Sequence, residues 1–238
     1  MRGGADAVEQ VLAATNRRRG DGLGRTRIAV DGRDAAGKTT FADQLATGLV
    51  ESGIETYRAS IDDWQHPPGI RYRRGRFSSE GYYLDGFDFE GMKHRLLEPF
   101  AAGAGFELRA YDVEEERKVA DDLVVARVGS VLIVDGVFLL RAELYACWEL
   151  KVYVRVNRAT SIDRGVARDE VRSGDAILER RLYDERYAPA QDRYLEAASP
   201  EARADVVIDN EYAKRPVIVD DTRRIATDPD HLAGMFPC

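Results

Sequence analysis

Cysteine, histidine, lysine and long apolar runs are all scarce in this chain of 238 residues. The two cysteines, Cys147 and Cys238, cannot build the disulfide framework that staples small secreted domains. Three histidines, His66, His94 and His231, show no ligand spacing and leave little for a metal cage, so they read as non-catalytic. The longest apolar runs, Val131 to Val134 and Val137 to Leu140, fall far short of the roughly 20 residues that span a bilayer. The opening Met-Arg-Gly-Gly-Ala-Asp has no apolar core and does not read as a secretory leader. A net charge of -7 lacks the positive excess of a general nucleic-acid or anionic-membrane binder. The expectation is a cytoplasmic protein in a reducing compartment, with no nucleic-acid or membrane partner.

What is present is ordinary globular material, 44% hydrophobic and 32% charged, which excludes wholesale disorder. The length suits one large domain or at most two small ones. Only five of the 35 basic residues are lysines, so a lysine inside a phosphate motif stands out. Helical spacing predicts a leading helix over Asp6 to Arg19, followed by a Gly-rich lead-in. Ile28-Ala29-Val30 reads as a buried strand, Thr39 to Glu51 as a helix stopped by Gly53, and Thr56 to Ile61 as a second strand. The Pro-, Gly- and aromatic-rich stretch from Trp64 to Gly86 shows no period and is expected to be a functional or mobile loop. Beyond it come a helix over Phe89 to Phe100, and strands at Phe106 to Ala110, Val131 to Val134 and Leu150 to Val156. A helical, Arg-rich stretch over Arg158 to Leu195 and a last strand at Asp205 to Ile208 complete the set. This alternation predicts an α/β fold, a doubly wound and mainly parallel sheet.

The segment Gly32-Arg33-Asp34-Ala35-Ala36-Gly37-Lys38-Thr39 fits the P-loop pattern, and it sits between a buried strand and an amphipathic helix. Its glycines let backbone N–H groups close on a phosphate, and the following helix points its positive end at the same anion. Lys38 is then placed for the β- and γ-phosphates and the Thr39 hydroxyl for Mg²⁺. Asp135, ending the strand Val131 to Val134, is a second candidate for the magnesium side. Asp62 and Asp63 end the strand after the P-loop helix, at the sheet edge where ligands bind. One of them suits a base that receives the proton of an acceptor hydroxyl; a capping or turn pair is the plainer reading. Arg164, Arg168 and Arg172 share one helical face, either as a lid that neutralises phosphoryl charge or as a solvated ion-pair face. Arg71, Arg73, Arg74 and Arg76 crowd the loop after Asp63, for an anionic substrate or for solvent.

In order and spacing these elements resemble the uridine kinase and phosphoribulokinase group of P-loop kinases, from about Arg25 to Asn210. The resemblance is carried by Gly37-Lys38-Thr39-Thr40, Ser60-Ile61-Asp62-Asp63-Trp64, Asp85-Gly86-Phe87-Asp88, Tyr111-Asp112, Val131 to Gly136, Arg164 to Asp169 and Ala204 to Ile208. It implies a P-loop NTPase fold of the nucleoside/nucleotide kinase type with an Arg-rich helical lid over about 158–195. Residues 1–24 would form a helix and lead-in, 25–210 the kinase domain, and 211–238 a tail packing on it. It implies Asp62 as catalytic base, Asp88 and Tyr111 on the acceptor, Asp135 on the magnesium side, and Arg164 and Arg168 in the lid. Gly32 through Thr40 would hold ATP. Three positions depart from members that clamp a pyrimidine: Val113 replaces an aromatic residue, Glu116 a histidine and Gln65 a tyrosine. The expected activity is an ATP- and Mg²⁺-dependent kinase acting on a hydroxyl of a nucleoside or sugar-like small molecule, with a homo-oligomer possible. Alternatives are a kinase of a non-nucleoside metabolite and a P-loop NTPase switch or assembly module. The absence of an Asn-Lys-x-Asp motif argues against a guanine-nucleotide switch.

Overall fold

The computed structural model describes residues 4–20, 24–119, 122–212 and 216–219. The expected tail at 211–238 lies mostly outside these residues. The first strand, β1 (Thr26–Gly32), is buried along its whole length. The next is β2 (Thr56–Ser60), then a two-residue hairpin of β3 (Tyr111–Asp112) and β4 (Arg117–Lys118). Fully buried β5 (Val131–Gly136) is followed by β6 (Leu150–Arg155), β7 (Val206–Asp209) and β8 (Val217–Ile218). The main sheet runs in the order β2-β5-β1-β6-β7-β8. Its first five strands are parallel and β8 pairs antiparallel with β7. The continuous apolar runs in β1 and β5 follow from their central place, covered on both faces.

Strand alternation sorts the core into two layers. Ile28, Val30, Ile133, Val152 and Val154 face a cluster built with Val11 of α1 (Gly4–Arg19) and Phe41, Leu45 and Leu49 of α2 (Lys38–Glu51). Ala29, Leu132, Val134 and Tyr153 face the opposite cluster, with Trp64, Met92, Leu96, Phe100, Phe138 and Tyr194. Such burial, about 1.5–3 kcal/mol for each large apolar side chain, fixes which strand face meets which helix layer. Register then aligns the strand ends: Ser60 lies opposite Asp135, and Asp31 opposite both Gly136 and Tyr153. The P-loop, the turn after β2 and the end of β5 therefore share one edge of the sheet, the edge where open α/β sheets bind ligands.

Several expectations change in detail. The stretch from Trp64 to Gly86 is not one irregular loop: it holds helical turns at Pro68–Arg71 and Ser79–Asp85, the latter α3. The Ser78 hydroxyl caps α3 by accepting from the Gly81 N–H at 3.0 Å. Helices this short show no apolar period, so pattern reading misses them. Phe106 to Ala110 forms no strand; only Phe106 makes a bridge, to Val124. The helical region expected at Arg158 to Leu195 is broken. Its first helix, α4 (Arg158–Ser173), ends at Gly174 in the left-handed conformation, φ 70°. Asp175 then caps α5 (Ala176–Arg181), and a π-helical turn at Leu182–Tyr187 leads into α6 (Ala188–Ala198). No helix among the described residues is long and apolar enough to cross a membrane.

Candidate active site

The phosphate side begins with backbone geometry. Gly37, at the head of α2, has φ 90°, and a Cβ there would stand 2.5 Å from Asn210 Nδ2. A side chain at that position would be strained by its own backbone and would also clash. Asn210 Nδ2 donates to the Ala36 carbonyl at 2.7 Å, and Ser161 Oγ donates to the Asp34 carbonyl at 2.7 Å. The loop is thus fastened from β7's end and from α4. Buried Lys38 donates from Nζ to the Arg33 carbonyl at 2.7 Å, which folds its ammonium over the loop. Arg33 itself turns outward to Asp192 on α6, at 2.6 Å. Thr40 follows on the exposed surface of α2's first turn.

Thr39 and Asp135, the two residues expected on the magnesium side, are brought together: Thr39 Oγ1 donates to Asp135 Oδ2 at 2.6 Å. A hydroxyl beside a carboxylate is an all-oxygen donor pair suited to a hard cation that keeps waters and phosphates as its other ligands. Among the described residues no three His, Cys, Asp or Glu side chains cluster as a metal cage. The pattern gave no warning of Arg58. Its guanidinium lies 2.9 Å from Asp135 Oδ1 and also reaches Asp43 at 3.1 Å. An arginine in the middle of a parallel strand is out of keeping with an apolar run, and that was the available signal.

On the other flank, Ser60 Oγ accepts from the Asp62 N–H at 3.3 Å and starts a tight helical turn, Ile61–Trp64. Ile61 and Trp64 go into the core, while Asp62 stays on the accessible side of the turn. The surrounding protein displaces much of its hydration, which pushes its pKa up to about 6, aided by the charges of Asp34 and Asp135 and opposed by Lys38 and Arg168. Asp34 extends from the P-loop toward this flank, where Tyr82 OH donates to its Oδ2 at 3.5 Å and Gln191 Nε2 donates to the same oxygen. Tyr82 is wedged among Phe87, Phe138 and Tyr187. Arg168 chelates Asp169 at 2.8 and 3.1 Å and donates to Tyr183 OH at 3.2 Å. Its field reaches Asp34 and Asp62.

The other sequence candidates are held by partners of their own. Asp88 caps a helical turn by accepting from the Gly91 N–H at 2.8 Å, and it pairs with Arg95 at 3.4 Å. Arg164 spends its guanidinium on the carbonyls of Asn210 and Glu211, at 3.0 and 2.7 Å. Tyr111 OH donates to Glu116 Oε2 at 2.7 Å; Arg71 holds Glu116 Oε1 at 2.5 Å and donates to Gln65 Oε1 at 3.3 Å. Two of the three departures from the pyrimidine-clamp pattern, Gln65 and Glu116, therefore meet through Arg71. Arg73 and Arg74 both pair with buried Asp85. Sequence reasoning missed Arg58, Asn210 and Gln191 as parts of the site, and for Gln191, reached only through long-range packing, nothing in the local sequence gives notice.

Comparisons with known proteins place the fold. A possible uridine kinase from Bacillus stearothermophilus superposes with a TM-score of 0.69 at 26% identity, covering 85% of this chain and 97% of that one. A putative fructose transport system kinase from Silicibacter gives 0.63 at 23% identity, with 79% and 94% covered. A D-glycerate 3-kinase from Cryptococcus neoformans gives 0.62 at 12% identity, with 90% and 98% covered. The last two likenesses, being so distant in sequence, establish the P-loop kinase fold alone. No curated protein matches the chain. The sequence profile that matches does so over residues 27–212, from the start of β1 to just past β7, and on that ground the chain belongs to the phosphoribulokinase/uridine kinase family.

Proposed function

We propose that this kinase transfers the γ-phosphoryl group of ATP, with Mg²⁺, to a hydroxyl of a nucleoside or sugar-like acceptor. The observation that carries the reading is the juxtaposition at one sheet edge of Lys38, the Thr39–Asp135 pair and Asp62, three elements from three strand ends. The P-loop N–H groups and Lys38 hold the β- and γ-phosphates, and Thr39 and Asp135 are the residues that would hold the magnesium ion. Such an ion would supply positive charge against the charge that builds on the phosphate oxygens. Asp62 orients the acceptor hydroxyl and receives its proton as the oxygen attacks phosphorus. Arg168, on α4, sets positive charge beside the moving group in the manner of a lid. Little covalent help is needed, because a loose phosphoryl transition state rewards positioning and electrostatics.

One observation favours a non-nucleoside acceptor within this reading. Where a pyrimidine clamp would stand, Glu116 and Gln65 are engaged by Arg71, and Glu116 also by Tyr111. A site without matching polar groups grips a base ring weakly. ADP release measured against a panel of nucleosides and sugars tests both statements. Turnover dependent on one acceptor is expected. Hydrolysis indifferent to every acceptor would favour a switch or assembly module, and a uridine kcat/KM above about 10⁵ M⁻¹s⁻¹ would overturn the weakened base clamp.

A further inference from the structure

A loop that wraps phosphates with backbone N–H groups gains nothing from a carboxylate aimed at the same anion, so the direction taken by Asp34 carries information. Both of its hydrogen bonds to Tyr82 and Gln191 fall on Oδ2. Among the described residues no partner occupies Oδ1, and the side chain is only partly covered. Its flank is the one that holds Asp62, and each carboxylate lies in the field of Lys38 and Arg168. Gln191, 2% exposed, is buried behind that bond, and its Oε1 faces no solvent. Four arginines that could welcome an anionic acceptor are already matched by carboxylates, while Arg186, packed over Tyr82, is spent on the carbonyls of Arg76 and Ser78. Arg71 pairs with Glu116, Arg73 and Arg74 pair with Asp85, and Arg168 pairs with Asp169. The wall facing the acceptor is therefore rich in oxygen acceptors and negative charge, and it asks for hydroxyl donors.

We propose that Asp34 is an acceptor-binding residue whose Oδ1 takes a hydrogen bond from a hydroxyl next to the one phosphorylated. It thereby selects uncharged polyhydroxy acceptors and rejects those with a carboxylate or phosphate beside the reacting hydroxyl. The inference rests on the kinase reading above and names its substrate class. Burial holds the Asp34 pKa above the ordinary carboxylate value, against the pull of Lys38 and Arg168, which agrees with a group short of polar partners until an acceptor arrives. The competing role is mechanical: the Asp34–Gln191 bond fastens α6 to the P-loop, and Asp34 never meets the acceptor.

The two roles separate in steady-state ADP release by wild type, Asp34→Asn, Asp34→Ser and Gln191→Met. Uridine, D-ribose and glycerol serve as uncharged probes, D-ribose 5-phosphate and D-glycerate as anionic ones. Wild type is expected to favour an uncharged probe by about a hundredfold or more in kcat/KM. Both Asp34 variants should raise the acceptor KM about tenfold, move the ATP KM less than about twofold, and narrow the preference about tenfold. Gln191→Met, which breaks only the fastening, should keep the preference. An unchanged acceptor KM in the Asp34 variants overturns the proposal, as does a Gln191→Met enzyme that reproduces them. Asp34→Ser keeps the comparison open if the Asn variant fails to fold. Independently of any variant, wild-type preference for D-glycerate or D-ribose 5-phosphate overturns it. ADP release that no probe accelerates would instead strike down the kinase reading, and this inference with it.

Discussion

The phosphate flank of the site is built from one unbroken segment, residues 32–39, plus a neighbour supplied by strand register, Asp135. The flank proposed to meet the acceptor is assembled from side chains of separate segments, Asp34, Asp62 and Tyr82, with Gln191 on α6 fastening Asp34 in place. A triphosphate is the same in every kinase and is gripped largely by backbone, which a local motif encodes. An acceptor differs from enzyme to enzyme and is met by side chains on loops, each replaceable without disturbing the sheet. On the proposed reading one flank carries the reaction type and the other carries the choice of substrate.

The largest expected effect lies on the phosphate flank. Lys38→Ala should lower kcat about a hundredfold to a thousandfold on the true acceptor, because a positioned charge is lost where water does not replace it. Retention of more than about a tenth of wild-type kcat, a loss under roughly 1.4 kcal/mol, would break the division between the flanks. Next, Asp62→Asn should cut kcat about a hundredfold while the ATP KM stays similar, and Asp63→Asn should be milder. Asp63 contributes its carbonyl to the Ala110 N–H at 3.0 Å, a structural use that needs no carboxylate. The reverse order would move the base to Asp63.

A pH profile sharpens the same contrast. Only the ionised Asp62 accepts a proton, and its surroundings push its pKa up to about 6. The acceptor kcat/KM should therefore fall toward about tenfold per pH unit below that value, and level off above it. Asp62→Asn should abolish this acid limb. A limb that survives in the variant would belong to some other group.

How much of this was legible follows the same division. The P-loop, the Thr39–Asp135 pair and the five parallel strands come from contiguous apolar runs and short motifs, each readable where it stands. Asp88 resembles an acceptor ligand by its place in a motif, and its carboxylate also caps a helical turn, a use the sequence does not separate from the first. Arg164 lay on the expected helix face but is drawn to the carbonyl ends beyond β7. Gln191 and Tyr82 reach Asp34 from 157 and 48 residues away, and no local pattern encodes such a meeting. What was hidden was long-range packing between segments that the sequence places correctly one by one.

The smallest effect concerns the seam between the flanks. Asp31, fully buried at the end of β1, accepts from the Gly32 N–H at 2.6 Å and from the Leu140 N–H at 3.1 Å, and it accepts from Tyr194 OH on α6. Burial pushes its pKa up to about 6, and the Tyr194 hydroxyl works against that rise. The folded state thus holds this proton more tightly than the unfolded chain does. The stability that the proton gives is complete at low pH and is lost as pH rises through about 6. Tyr194→Phe removes a donor from the ionised carboxylate and keeps the ring packing, so it should cost about 1–3 kcal/mol at pH 7.5. In a chain of this size that is a drop of roughly 2–4 °C in Tm for each kcal/mol. At pH 5, where Asp31 is mostly protonated, the deficit should shrink. Thermal melts of both proteins at the two pH values decide it: no deficit at either would mean that Tyr194 acts through its ring alone, and an equal deficit at each that its hydroxyl acts independently of the Asp31 charge. A deficit confined to high pH would instead make the Asp31–Tyr194 bond the tie that holds the acceptor-side helix against the phosphate loop.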